Sequence, residues 1–144
     1  MSTTYIRRSS EDTEQEIVMQ WARINSGKWP ELSLLHHIPN GGVRNAREAA
    51  KLKRMGVLAG VSDLHLPVAR GPWHGLYIEM KYEGGTLQKS QREFLKLAAE
   101  QGMYCVVCYT ADDAIEIIKR YVSRDTVHPN LAILKKGKQT GIIE

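Results

Sequence analysis

Glu79 and Lys81 stand two residues apart in Leu76-Tyr77-Ile78-Glu79-Met80-Lys81, an otherwise mostly apolar stretch that reads as a β-strand. Strand alternation sends both charged side chains to one face and Met80 to the other. A charged pair placed in or beside a sheet is costly unless it is paired or bound to metal. The plain alternative is an edge strand with one solvated face and an ordinary cross-strand ion pair. Asp63 shifts the balance. It lies in Gly60-Val61-Ser62-Asp63-Leu64, within a run (57–68) read as the antiparallel partner of the Glu79 strand, turned at Arg70-Gly71-Pro72. That hairpin brings the Asp63 carboxylate beside that of Glu79. Adjacent carboxylates repel, and a divalent cation is the common resolution. Oxygen ligands suit magnesium, and a neighbouring lysine ammonium would orient or stabilise a hydroxide nucleophile; this is the equipment of metal-assisted phosphodiester hydrolysis.

A second group of residues is suited to phosphate. In Pro39-Asn40-Gly41-Gly42 the glycines expose backbone N–H groups, and Asn40 and Arg44 add donors. Arg44, Arg47, Lys51, Lys53 and Arg54 fall in one short segment, and Lys135, Lys136 and Lys138 lie near the C-terminus. Both segments would meet phosphate, or form a solvated helix face and a soluble tail. Cys105 and Cys108 have C-x-x-C spacing, but inside an apolar strand they point to opposite faces, so they are read as buried, reduced thiols. Of His36 and His37, one is expected to face inward as a core histidine.

These residues need a scaffold, and hydropathy supplies one. Ser10-Glu11-Asp12-Thr13 starts a helix that ends at Ser26-Gly27, and residues 33–38 read as a strand feeding the glycine turn. Helical spacing covers 45–55, about 88–101 and 112–122, and residues 104–109 form a strand apolar on both faces. Leu131-Ala132-Ile133-Leu134 is one further strand or an arm. The order predicts a mixed α/β sheet with helices on both faces.

The chain has 144 residues, 42% hydrophobic and 25% charged, with net charge +4. That suits one domain and excludes a disordered polymer. No apolar run is long enough for a membrane span, and Arg7-Arg8 is followed by no apolar segment of a secretory signal, so a cytoplasmic location is expected.

The ordered series His37-Ile38-Pro39-Asn40-Gly41-Gly42 with Arg44, Gly56-Val57, Gly60-Val61-Ser62-Asp63-Leu64, Ile78-Glu79-Met80-Lys81 and Gln91 resembles the VRR-NUC branch of the PD-(D/E)XK nucleases. The resemblance implies a restriction-endonuclease-like fold over residues 1–122, with 1–9 a polar arm and 123–144 an extension serving as dimer arm or DNA-binding tail. It implies Asp63 and Glu79 as magnesium or manganese ligands, the Met80 carbonyl as a further ligand and Lys81 as the catalytic lysine. A first-helix acid would complete the site, Glu11 being favoured and Glu14 its rival, and Gln91 would touch the site or the DNA backbone. Ser62 departs from a common Pro, and Gln88 from a common Ser or Thr. Stand-alone domains of this kind resemble bacterial and phage proteins that cut Holliday junctions as homodimers. Flap, end or duplex cleavage, or a non-catalytic DNA-binding scaffold, stay open as alternatives.

Overall fold

The computed structural model describes residues 10–39 and 45–144. Helix α1 (Glu11–Asn25) begins where the Ser10 hydroxyl accepts the Thr13 N–H, and Glu11, Asp12 and Glu14 meet the positive end of its dipole. The region expected as one strand over 33–38 is divided: Pro30–Leu34 forms a short 3-10 helix, and only β1 (His36–His37) is extended. Pro30 sits in the first turn, where its missing N–H costs nothing, and the helical turn buries Leu32, which an extended chain would not place so. Neither His36 nor His37 is a core residue; both are exposed, because β1 lies at the edge of the sheet.

Next come α2 (Ala46–Arg54), β2 (Leu64–Leu66), β3 (Leu76–Met80), α3 (Lys89–Glu100), β4 (Tyr104–Cys108) and α4 (Ala111–Val122), followed by β5 (Ala132–Lys135) and β6 (Lys138–Ile142). The strands form one mixed sheet in the order β1-β2-β3-β4-β5-β6. β2 runs antiparallel to both β1 and β3, β4 and β5 are parallel to β3, and β6 closes the far edge antiparallel. Of the two expectations for residues 131–134, a strand is found. The buried Asp113 carboxylate ties the β5–β6 turn to α4 by accepting the Lys136 and Gly137 N–H groups at 3.0 and 2.6 Å.

Alternation splits the core into two layers. Val18 and Ala22 of α1 and Ile117, Ile118 and Tyr121 of α4 pack on Leu64, Ile78, Met80, Val106 and Cys108. On the opposite face, Leu95 of α3 packs with Cys105 and Val107, and Tyr77 borders them. The two free cysteines therefore occupy opposite layers, as the strand period requires. The result is the expected α/β architecture, helices on both faces of a mixed sheet, consistent with a restriction-endonuclease-like fold.

Candidate active site

The β3 register sends Tyr77 and Glu79 toward α3, while Leu76, Ile78 and Met80 enter the opposite layer. Glu79 is only 2% exposed and Lys81 7%. Glu79 Oε1 accepts a hydrogen bond from Gln91 Nε2 at 3.1 Å and lies 3.7 Å from Lys81 Nζ. Its other oxygen, Oε2, is buried and receives no hydrogen bond from a donor group; the neighbouring Asp63 carboxyl can bond to Glu79 only when one of the two is protonated.

Asp63 sits immediately before β2, where the β2–β3 pairing brings it to Glu79. Its Oδ2 accepts the Met80 N–H at 2.8 Å. Its backbone carbonyl accepts the Ile38 N–H at 2.9 Å and lies 2.7 Å from His37 Nδ1. Asp63 is thus anchored through both backbone and side chain, to β1 on one side and to β3 on the other.

Gln91 comes from the first turn of α3. Its Oε1 accepts the Gln88 N–H at 2.9 Å, which fixes the amide orientation and turns the NH2 group toward Glu79. Gln88 is the N-cap of α3, and the Gln91 side chain reaches back to accept its N–H, the reciprocal half of a capping box. Gly60 makes this approach possible: its φ is +89°, and a Cβ there would lie 2.3 Å from the Ser90 carbonyl oxygen. The Ser62 hydroxyl, standing where the resemblance has Pro, is buried without a partner.

Asp63, Glu79, Gln91 and Gly60 border a cleft of about 470 Å³, lined also by Glu11, Gln15 and His37; Lys81 and Ser62 are not among its lining residues. The structure separates the two first-helix acids. Glu11 faces the cleft, and its carboxyl is raised first by burial and further by Asp63, against the lowering pull of Lys81. Glu14 instead accepts the Ala111 N–H at 2.8 Å with Oε2, capping α4. His37, expected from the sequence only as one of two candidates for a core histidine, instead lines the cleft; its place directly before Ile38-Pro39 at the end of a predicted strand was the available signal.

Electrostatics favour a cation here. Burial, and then the Asp63 charge, push the Glu79 carboxyl up to about 9, with Lys81 opposing. Acidic oxygens that resist ionisation, one of them buried without a partner, form a donor set that a hard divalent ion fits. Among the described residues, no three His, Cys, Asp or Glu groups are already gathered as a metal site. Asp63 Oδ2 is turned to Met80, and Glu79 Oε1 to Gln91. The Met80 side chain is in the opposite core layer, so only its backbone is available on this side.

Of the residues expected to contact DNA, Asn40, Gly41, Gly42 and Arg44 lie outside the described residues. Arg47 and Lys51 are exposed on α2 and do not line the cleft, although Pro39 and Ala59, on either side of that segment, do. Among the described residues no helix is long and apolar enough to cross a membrane.

Comparison with known proteins bears on this arrangement. The family model of the VRR-NUC domain matches residues 3–112. A solved structure described as a VRR_NUC domain protein is 37% identical, with a TM-score of 0.70 over 82% of this chain and 92% of that one. None of the curated proteins matches. Asp63, Glu79, Lys81 and Gln91 all fall within the matched residues, and this chain belongs to the VRR-NUC family of nuclease domains.

Proposed function

We propose that this protein is a magnesium- or manganese-dependent, structure-specific DNA endonuclease that cuts branched DNA such as Holliday junctions as a homodimer. The observation that carries the proposal is the buried Glu79 carboxylate, with one unpartnered oxygen, held between Lys81 and Gln91 beside Asp63. Asp63, Glu79, Glu11 and the Met80 carbonyl would hold the divalent ion, which when bound polarises the phosphate and lowers the pKa of the attacking water.

The chain's own groups do the rest. Lys81 places a buried ammonium at the edge of the donor set, where it offsets negative charge gathering on the phosphate and helps hold the attacking water. Gln91 keeps Glu79 from turning away. The 40–44 segment, with Asn40, Gly41, Gly42 and Arg44, together with Arg47 and Lys51, is assigned to DNA phosphates. The dimer has a physical reason: symmetrical cleavage of two strands needs two centres, and one chain supplies one. The site of action is taken as the cytoplasm of a bacterial or phage-infected cell.

The test is incubation with labelled four-way junction, flap and duplex DNA in magnesium or manganese. Junction cleavage that is lost in Lys81→Ala and Asp63→Ala is the expected result. Equal cutting by parent and variants overturns the site. Cleavage of flaps, ends or duplex alone moves the substrate assignment there, and binding without turnover makes the protein a scaffold. Sedimentation of the free protein and of the junction complex reads the subunit number.

A further inference from the structure

Helix α2 differs from the other helices in burying none of its residues; only Leu52 is half-covered. Arg47, Lys51 and Arg54 follow one another at intervals of four and three, which puts them on one side of the helix, with Leu52 turned away from them. The chain re-enters the cleft lining at Ala59, the residue after Leu58, so the turn that ends α2 leads directly to the cleft.

That turn is well defined. Asn45 caps the start of α2 by accepting the Glu48 N–H at 2.8 Å. At its end Gly56 has φ +101°, the Val57 N–H reaches the Leu52 carbonyl at 3.0 Å, and the Gly56 N–H reaches that of Lys53 at 3.1 Å. This paired bonding is the Schellman motif, and it holds the following residues in one presentation. What it presents is apolar: Met55 is 71% exposed, Val57 39% and Leu58 60%. Single exposed apolar residues are ordinary, but three within four positions make a contact surface.

The surroundings select the partner. Arg47, Lys51, Lys53 and Arg54 flank the apolar tip, all exposed, and Glu48 is the helix's one acid. Four basic side chains against one acid suit a phosphate backbone, and an apolar tip beside a basic row is what proteins that separate stacked bases carry. We propose that Met55 and Leu58 form an apolar wedge that packs against an unstacked base where branched DNA opens beside the cleft, while Arg47, Lys51 and Arg54 hold the adjoining phosphates. The wedge rests on the nuclease function proposed above and refines its substrate. In a continuous duplex the wedge must first separate two stacked bases, at a cost of about a few kcal/mol per step. At a branch the stacking is already interrupted, and the same side chains find a free face.

The experiment compares affinities for a labelled four-way junction and a duplex of equal length in EDTA, across a series of salt concentrations. Met55→Ser/Leu58→Ser removes the wedge at exposed positions, and circular dichroism checks that the fold is kept. We expect this variant to lose about tenfold on the junction and less than about twofold on the duplex, with an unchanged salt slope. Arg47→Ala/Lys51→Ala should weaken both DNAs alike and reduce the salt slope by about 2. A 2-aminopurine at the branch should brighten with the parent and not with the wedge variant. If the parent prefers the junction and the wedge variant keeps that preference, the wedge is overturned alone. If the parent does not distinguish the two DNAs, the branched substrate and the wedge fall together. If the wedge variant loses subunit association by sedimentation and weakens on both DNAs equally, the patch joins two copies of the chain and the wedge is again overturned.

Discussion

Glu79→Gln replaces a buried acid by a neutral group of the same shape, and its effect on stability follows from the site's electrostatics. The Glu79 carboxyl is pushed up to about 9 in the folded chain from an ordinary value of 4.5, by burial first and by Asp63 second. An acid raised on folding binds its proton more tightly in the native state. Its stabilising contribution is therefore complete below the unfolded value and is lost as pH rises from about 4.5 through about 9. At 1.36 kcal/mol per pH unit, this costs the metal-free parent about 3 kcal/mol at pH 7 relative to acid solution. The Gln variant escapes the cost. It also loses the 3.7 Å contact with Lys81, which offsets part of the gain, so the difference in pH dependence carries the test rather than the absolute stability. Urea unfolding in EDTA at several pH values between 5 and 8 measures it. The parent should lose stability across that range more steeply than Glu79→Gln, by about 2 kcal/mol or more. Magnesium at a hundredfold its dissociation constant should then restore about 2.7 kcal/mol to the parent and little to the variant. Parallel pH curves for the two proteins would refute the raised carboxyl, and equal stabilisation of both by magnesium would remove Glu79 from the ligand set.

Four further substitutions probe the site and its supports. Gln91→Leu leaves Glu79 Oε1 without its amide donor, and isothermal titration should show magnesium affinity falling by about 10- to 100-fold with the fold intact. Glu14→Ala should cost about 1 kcal/mol by leaving the Ala111 N–H in the first turn of α4 without its acceptor, while keeping most of the turnover, whereas Glu11→Ala should depress turnover with little change in melting temperature; the pair is read by thermal unfolding and by initial rates. Gly60→Ala forces a Cβ to within 2.3 Å of the Ser90 oxygen at φ +89°, and denaturant unfolding should show a loss of about 2 kcal/mol or more, accompanied by loss of cleavage as the start of α3 is pushed from the cleft.

Much of the candidate site was legible because it depends on local periods. Glu79, Met80 and Lys81 lie in or directly after one strand, and the two-residue period alone puts the charged pair on one side and Met80 on the other. The same period placed Cys105 and Cys108 in different layers. The helix start at Ser10 was readable because a short polar side chain there accepts the N–H three residues on, while the helix after Asn45 was readable from its apolar spacing, and its cap by Asn45 was found in the structure. The division of 33–38 was not legible, because an apolar run is compatible with either a strand or a helical turn until Pro30 and the burial of Leu32 decide it.

What the sequence determined by itself was the family, the identity of the charged residues and the faces on which each element carries them, since these follow from residue type and backbone period within a few positions. Only the tertiary structure decided that Glu11 faces the cleft while Glu14 caps α4, that His37 borders the Asp63 backbone, and that residues 132–142 complete the sheet. It also decided that Glu79 is raised, because desolvation depends on everything packed around a group and not on its neighbours in the chain. Glu11 and Glu14 are both acids in the first turn of one helix; what separates them is which partner each meets across the fold, the backbone of α4 for one and the carboxylate cleft for the other.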